Sequence, residues 1–254
     1  MNEYLVWNES SLDWTLMNPL DAPDSGFADA PEAGYYPELV DQGGLARALR
    51  SIAQDRQLDL GELRVGSNVG LGVYRTAETG STRGLIRVST VLNRRAFSIS
   101  LDSARGHFVW ANGSTSNLLE VAGVIDAWRG GILLAVLSNR FPFMEYPKIS
   151  QGYEDGTPVP TQWQILIESE ESYIVNRPLL LAAHENPRLS ELFPFFSHGV
   201  LRLQMDCFDR SAGSIKLNQL SNGNYRVETT VLSENMVEVP SMEEAVAAAV
   251  GFLS

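Results

Sequence analysis

Side chains suited to acid–base or nucleophilic chemistry are scarce in this sequence. Its histidines and its cysteine are His107, His184, His198 and Cys207. His198 directly follows Ser197, and a histidine within hydrogen-bond reach of a serine could act as the general base for a nucleophile. Neighbouring residues of a strand point to opposite faces, however, so adjacency in sequence does not favour such a pair. We therefore expect His198 to make a structural hydrogen bond to the backbone near the start of a strand.

The spacing of these residues does not predict a bound metal or phosphate. Zinc sites use pairs such as His-x-x-x-His or Cys-x-x-Cys, and neither pair occurs in the sequence. The glycines Gly66, Gly70 and Gly72 fit neither G-x-G-x-x-G nor the G-x-x-x-x-G-K-[S/T] phosphate loop. Cys207 follows Asp206 and has no basic residue beside it, which indicates an unreactive thiol. We predict no cofactor, no metal ligand and no catalytic residue, and we favour a non-enzymatic protein.

Charge is the more distinctive property of the chain. The 254 residues include 31 acidic and 19 basic side chains, which gives a formal net charge of −12. Residues 1–40 contain eight acids and no lysine or arginine, whereas the remaining 214 residues contain 23 acids and all 19 basic residues. Two thirds of the excess negative charge therefore lies in the first 40 residues. This balance argues against binding to duplex nucleic acid or to an anionic membrane, because both need a positive surface.

We call residues 1–40 the acidic arm. Its four prolines predict an extended arm, because proline breaks a helix interior. One interpretation is that the aromatic rings of the arm pack on their own domain and leave the acids in water. The other is that the arm is a docking surface for a basic protein, with acids that steer the encounter and aromatic anchors. The predicted partner-binding residues are Trp7, Asp13, Trp14, Asp21, Asp24, Asp29, Glu32, Tyr35 and Tyr36.

Targeting and membrane signals are not predicted. The first 15 residues include acids and two tryptophans, and they lack the basic start and apolar run of a signal peptide. The longest apolar stretches, Ile132–Leu137 and Ala245–Leu253, are much shorter than the ~20 residues that a membrane span requires. We therefore expect a cytoplasmic protein that binds no membrane.

Hydrophobic periodicity predicts an α+β fold. Residues 41–57 and 117–128 have helical spacing, and Asn117 can cap the second of these helices. Short strands are predicted at Leu63–Val65, Leu71–Tyr74, Leu85–Ser89 and Ala96–Leu101, with links too short for parallel crossovers. Near the C-terminus, Asn222-Gly223 between two alternating runs predicts a hairpin. Ser241 with Glu244 forms a capping box for a final helix.

The order of these elements predicts antiparallel sheets with helices packed on one face. Composition places the boundaries at 1–40 for the arm, 41–150 for an N-terminal α+β half and 151–254 for a C-terminal α+β half. The tripeptide Phe-Pro-Phe occurs at 141–143 and again at 193–195. This repeat raises the alternative that the two halves are similar.

A resemblance to a known family lies in the second half. The stretch 179–203 contains Ala182-Ala183-His184-x-x-Pro187-Arg188-Leu189-x-x-Leu192-Phe193-Pro194-Phe195-x-Ser197-His198 and then an alternating strand. It resembles an uncharacterised bacterial family, common in actinomycetes, that is labelled as natural-product-biosynthesis proteins. The segments 43–46, 111–128 and 141–143 are similar in type and order, and the acidic arm lies outside the resemblance.

Two functions follow as hypotheses. The charge of the arm favours a non-enzymatic binding protein that neutralises a basic protein partner, such as an immunity protein against a bacterial toxin. The resemblance implies an accessory protein or enzyme of a specialised-metabolite pathway, and it implies no catalytic residue. For this alternative, we expect Arg188 and His198, near the aromatic segment 193–196, to line a ligand pocket.

Overall fold

A computed structural model describes residues 4–8, 13–17, 34–66, 72–105, 108–170, 176–231 and 235–253. These residues form an α+β fold, as predicted. They contain two five-stranded antiparallel sheets and a separate two-stranded hairpin. The hairpin consists of β1 (Tyr4–Asn8) and β2 (Asp13–Met17).

The first sheet has the strand order β3-β4-β5-β6-β7, with each strand antiparallel to its neighbour. Its strands are β3 (Thr76–Ser81), β4 (Gly84–Thr90), β5 (Phe97–Asp102), β6 (Val109–Thr115) and β7 (Met144–Glu145). The accompanying helices are α1 (Pro37–Gln42), α2 (Leu45–Arg56), α3 (Gly72–Arg75), α4 (Leu118–Arg129) and α5 (Leu134–Arg140).

One face of this sheet builds the first hydrophobic core. Alternation along β5 turns Phe97, Ile99 and Leu101 toward the helices, and all three are fully buried. Helix α4 closes over them with the buried stripe that includes Ile125 and Trp128. Because strand side chains alternate, the polar residues between these apolar positions lie on the opposite face of the sheet.

The second sheet has the order β12-β11-β10-β9-β8. Its strands are β8 (Phe193–Ser197), β9 (Val200–Gln204), β10 (Ser214–Gln219), β11 (Tyr225–Thr229) and β12 (Asn235–Val239). The helices of this half are α6 (Lys148–Glu154), α7 (Pro158–Glu168), α8 (Arg177–Glu185) and α9 (Met242–Gly251). Buried residues of α7, α8 and α9 pack on the inner face of the sheet and form a second, separate core.

Several local predictions are confirmed. The Asn-Gly hairpin joins β10 to β11, and Gly223 adopts a φ of 88°, which a side chain would disfavour. The Ser241 side chain accepts the backbone N–H of Glu244 at 3.2 Å at the start of α9. Asn117 caps α4 by accepting the N–H of Leu119.

Other predicted elements are wrong. A single helix over 41–57 was expected, but Gly43 and Gly44, both with positive φ, separate α1 from α2. The segment 63–65 contributes only an isolated bridge from Arg64 to Glu78, and Gly72–Arg75 is a helical turn rather than part of a strand. Strand β3 was not predicted, because its residues Thr76–Ser81 are mostly small and polar and give no apolar alternation.

The two halves share a five-stranded antiparallel sheet with helices on one face, but they differ in order. In the first half α4 and α5 lie between β6 and β7 in the chain, whereas in the second half β8 to β12 follow one another without an α-helix among the described residues. The repeated Phe-Pro-Phe segments lead into β7 and lie in β8, which are both edge strands. An edge strand tolerates proline because one side of it needs no ladder hydrogen bond.

Helix α6 joins the halves through Tyr153. This ring stacks on Phe108 of the first half, with centroids 4.0 Å apart, and also contacts Phe193 and Phe208 of the second half. Next to it, Glu154 forms an ion pair with Arg83 at 3.0 Å and accepts the N–H of Leu134. The junction therefore combines aromatic packing with a largely buried charge pair.

Candidate functional site

The two described histidines have different surroundings. His184 on α8 packs against Trp163, with ring centroids 5.0 Å apart. His198 lies in the turn between β8 and β9 with a φ of 52°, and its Nδ1 is 3.1 Å from Oγ of Ser197. Strand β8 ends at Ser197, and His198 already belongs to the turn. The expectation that the side chains of Ser197 and His198 point to opposite faces of a strand is therefore wrong. His198 is exposed, so this turn does not shield a nucleophile from water. His107 lies outside the described residues.

Arg188 holds the end of helix α9. Its guanidinium donates to the carbonyl oxygens of Val250 at 3.4 Å and Leu253 at 2.8 Å. Free carbonyls at a helix C-terminus favour such a cation. Arg188 thus contacts the end of α9 and His198 contacts Ser197, and a ligand pocket lined by both side chains stays a prediction.

Cys207 is half-buried and chemically protected. Burial raises the pKa of its thiol, and the nearby Asp206 raises it further. The thiol therefore stays protonated at neutral pH, in agreement with the expectation of an unreactive cysteine. Among the described residues, no three histidine, cysteine or acidic side chains are placed to hold a metal ion.

Eight of the nine predicted partner-binding residues fall into three groups. Trp7 and Trp14 are direct register partners in the β1–β2 hairpin, and Asp13 is opposite Asn8. Tyr35 is 41% exposed, and its carbonyl accepts a hydrogen bond from Arg95. The acids Asp21, Asp24, Asp29 and Glu32 lie outside the described residues.

Tyr36 belongs to the core instead of a docking surface. It is only 3% exposed and packs edge-on against Phe97. Its hydroxyl lies 2.8 Å from the carbonyl oxygens of Val91, Arg94 and Ala96. The end of the predicted arm is also folded, since Pro37 starts α1 instead of preventing a helix. Proline is accepted in the first helical turn, where its missing N–H needs no partner.

The described helices of the first half pack on one face of the first sheet, and we call the other face the first open face. One row of register partners crosses all five strands: Glu78, Arg87, Ser100, Asn112 and Glu145. Beside this row lie Ser89, Ser98 and Ser114, which are also register partners, and Asp102. Ser98, Asn112, Ser114 and Glu145 are exposed, whereas the side chains of Glu78 and Asp102 are only 15% and 16% exposed.

Arg87 is at the centre of the charges on the first open face. Its guanidinium is 2.6 Å from a carboxylate oxygen of Asp102 and 3.5 Å from one of Glu78. Ser100 donates its hydroxyl proton to Asp102 at 2.6 Å. Within the described strands, this face has three carboxylates and one guanidinium, a net of two negative charges.

The second sheet has a corresponding exposed surface, the second open face, with the opposite balance of charge. Register places its central row as Phe195, Arg202, Lys216, Glu228 and Met236. Arg226 and Glu238 are register partners in the adjacent row. The described strands thus place three cations and two carboxylates here, a net of one positive charge. Hydrogen bonds from Asn224 and Asn222 lower the pKa of Glu238, so this carboxylate remains ionised.

Each open face has a cleft at its margin. The cleft beside the first open face has a volume of about 430 Å³ and is lined by Glu62, Arg64, Glu78, Thr79, Gly80, Leu85 and Arg129. The cleft beside the second is about 480 Å³ and is lined by Lys216, Glu228, Thr229, Thr230, Asn235 and Met236. Both have mixed, charged linings, which suit a polar macromolecular contact better than an apolar metabolite.

Comparison with protein families gives a match in the second half. Residues 157–253 match a family of unknown function, DUF6193. This region begins at α7 and includes the whole second sheet and α9. No curated protein and no solved structure matches the chain significantly. In the part of the chain that the structure describes, none of the helices is both long and apolar enough to cross a membrane.

Proposed function

We propose that this chain is a cytoplasmic, non-enzymatic binding protein that captures a basic protein partner, such as an immunity protein that neutralises a bacterial toxin. The observation that carries the proposal is the separation of charge along the chain. Residues 1–40 contain eight acids and no basic side chain. An uncompensated run of acids steers a cationic partner, and the aromatic residues interspersed with it supply contact area.

The folded body supports this proposal by the way in which its charges are used. Acids of the body neutralise its own arginines and lysines, as in the pairs Arg83–Glu154 and Lys216–Glu228. One acid of the arm, Glu38, pairs with Arg95 of the body. The arm has no basic residues of its own to play this part. The seven other acids of the arm therefore have no basic residue within residues 1–40 to neutralise them.

Three of the described side chains that were considered for chemistry have other surroundings. His184 packs on Trp163, and Arg188 holds the end of α9. The thiol of Cys207 is protonated at neutral pH because burial raises its pKa. A role as an accessory protein or enzyme in specialised metabolism is the alternative, supported by the resemblance of residues 179–203.

Recovery of the partner from the native cells tests the proposal. The tagged full-length chain is compared with an arm variant in which four acids become amides: Asp21→Asn, Asp24→Asn, Asp29→Asn and Glu32→Gln. A matched control changes four exposed acids of the second half: Glu170→Gln, Glu185→Gln, Glu191→Gln and Glu243→Gln. Both variants gain the same four units of charge, so any difference between them reports position.

We expect one basic polypeptide, at one-to-one stoichiometry by mass spectrometry, with the wild-type chain and with the control. Its recovery should fall at least tenfold with the arm variant. A bound small molecule or a biosynthetic enzyme would favour the alternative function. Equal losses with both variants would show that net charge, and not the arm, determines binding.

A further inference from the structure

We propose that the second open face binds an extended acidic peptide segment of another protein, through Arg202 and Arg226. This site is separate from the acidic arm and does not depend on the proposed function. Both arginines alternate with buried residues of their strands, so they lie on the side of the second sheet opposite to its core. Their strands, β9 and β11, flank the central strand β10.

Arg202 has a cationic neighbour and an aromatic neighbour. Its register partner on β10 is Lys216, and on its other side the guanidinium carbon is 5.9 Å from the ring centre of Phe195. The acid of this row, Glu228, pairs with Lys216 at 3.2 Å, and the ion pairs between described residues do not include Arg202. Like charges directly opposite each other destabilise a sheet, and an anion bound at Arg202 would relieve this repulsion.

The Nε atoms of both arginines are buried, and neither has a hydrogen-bond acceptor among the residues that the structure describes. A buried donor without an acceptor is costly, and such groups are rare in folded proteins. A guanidinium presents its N–H donors in a planar fork that fits a carboxylate. An acidic ligand would therefore supply acceptors that the described part of the sheet does not.

The acid opposite Arg226 is held by other side chains. Glu238 is the register partner of Arg226 on β12. Its Oε1 atom accepts hydrogen bonds from Asn224 at 3.0 Å and from Asn222 at 3.3 Å, both in the hairpin turn. On its other side, Arg226 is opposite the neutral Asn218. Arg226 is therefore a second cation of this face that can take a carboxylate from outside.

The two arginines are spaced for two carboxylates of one extended segment. Arg202 is opposite Lys216, and Arg226 is opposite Asn218, which lies two residues further along β10. Two inter-strand steps of about 4.8 Å and two residues of about 3.4 Å each place the Cα atoms of the two arginines ~12 Å apart. A peptide in the extended conformation covers about 13 Å in four residues. Acidic side chains four residues apart can therefore reach both arginines.

The acids beside the arginines favour a peptide over a nucleic acid. A nucleic-acid strand has a negative charge at every nucleotide, so a strand that reached both arginines would also bring phosphates against Glu228 and Glu238. A peptide can place uncharged side chains at these positions. Like-charge contacts suppress wrong partners, and here they act against the nucleic acid.

The first open face does not share this property. Its arginine, Arg87, is 2.6 Å from a carboxylate oxygen of Asp102 and 3.5 Å from one of Glu78. That cation is neutralised within its own sheet. The two sheets have the same architecture, and the difference in ion pairing selects the second open face for an acidic ligand.

The test uses two synthetic peptides of the same composition with the full-length chain. In the spaced peptide, four glutamates are separated by three serines each, and in the matched peptide the four glutamates are adjacent. The salt concentration is 150 mM, because screening then limits repulsion by distant acids to about 8 Å. Backbone amide shifts in NMR spectra locate each peptide and give its affinity. An oligothymidine strand of the same length is the nucleic-acid probe.

The variants are Arg202→Gln, Arg226→Gln and the double substitution. The control is Arg64→Gln, which removes the same charge from a side chain that is 72% exposed and pairs with Glu62. Urea unfolding of each variant shows whether it folds normally. Arg202→Gln should keep or raise the urea midpoint, because it removes the like-charge pair with Lys216.

We expect shifts in β9, β10 and β11, and the spaced peptide should bind at least threefold more tightly than the matched peptide. Each arginine substitution should weaken binding about fivefold, the upper range for an ion pair at a protein surface. The double substitution should weaken it about 25-fold, because sites that are this far apart contribute additively. Arg64→Gln should stay within about 1.5-fold of wild type.

Shifts confined to other surfaces, or equal weakening by Arg64→Gln and Arg202→Gln, would overturn the inference. Tighter binding of oligothymidine through the same arginines would assign the face to a nucleic acid instead. A lower urea midpoint for Arg202→Gln would show that this residue serves the fold, and that result would overturn its assignment to a ligand.

Discussion

The hydroxyl of Tyr36 should stabilise the folded protein measurably. It accepts the N–H of Ala96 at 3.1 Å and lies 2.8 Å from three carbonyl oxygens of the 91–96 turn. Tyr36→Phe keeps the ring and its edge contact with Phe97 but leaves the buried Ala96 N–H without this acceptor. Such an orphaned donor costs about 1–3 kcal/mol, and we expect a loss of about 2 kcal/mol in the free energy of unfolding.

Equilibrium unfolding in urea measures this loss, and the adjacent Tyr35 supplies the control. Tyr35 is 41% exposed, so Tyr35→Phe should stay within about 0.5 kcal/mol of wild type. In a thermal melt, the Tyr36→Phe change should lower Tm by about 4–8 °C. A Tyr36→Phe protein as stable as wild type, or equal losses for both variants, would refute the assignment of Tyr36 to the core.

Three further predictions concern the junction and the last helix. Glu154→Gln removes the charge that pairs with the largely buried Arg83 and should cost about 3 kcal/mol in urea unfolding, more than neutralisation of an exposed acid. Burial raises the pKa of Tyr153 to about 12, so its contribution to stability is complete below about pH 10 and is lost as pH rises through 12. An alkaline ultraviolet titration should lose this late step in Tyr153→Phe, and an unchanged curve would contradict the assignment. Ser241→Ala should cost about 1 kcal/mol in unfolding free energy through loss of the α9 cap, and a change below 0.3 kcal/mol would contradict it.

Local chemistry explains which elements are predictable from the sequence. The hairpin at Gly223 and the cap at Ser241 depend on residues only a few positions apart, so their signals are complete within a short window. The cap at Asn117 was predicted for the same reason. Glu120, three residues after Asn117, bonds the hydroxyl of Thr115, which in turn accepts the N–H of Asn117.

Long-range contacts explain what the sequence could not show. Tyr36 joins the core because its hydroxyl meets a turn that is 55 to 60 residues away. Tyr153 contacts Phe108, Phe193 and Phe208, which come from three separate segments. Single residues of this kind give no periodic signal before the chain folds.

The open faces were missed for a related reason. Register alone brings Glu78, Arg87 and Glu145 into one row, and the unpredicted strand β3 contributes the first of them. The alternation of apolar and polar residues in β5 and β9 could have indicated that the polar residues of each strand share one face. It could not have indicated which strands are neighbours in the sheet. The opposite charges of the two faces therefore emerge only from the topology.

The most direct test of the central claim is the salt dependence of association between the full-length chain and the basic polypeptide recovered from cells. Association rates are measured by stopped flow from 20 to 300 mM salt for wild type, the four-amide arm variant and the four-amide control. We predict that wild type and control slow steeply as salt rises, because screening weakens electrostatic steering. The arm variant should associate more slowly at low salt, with a flatter dependence. Identical rates and slopes for all three proteins would contradict a role of the acidic arm in capturing a basic partner.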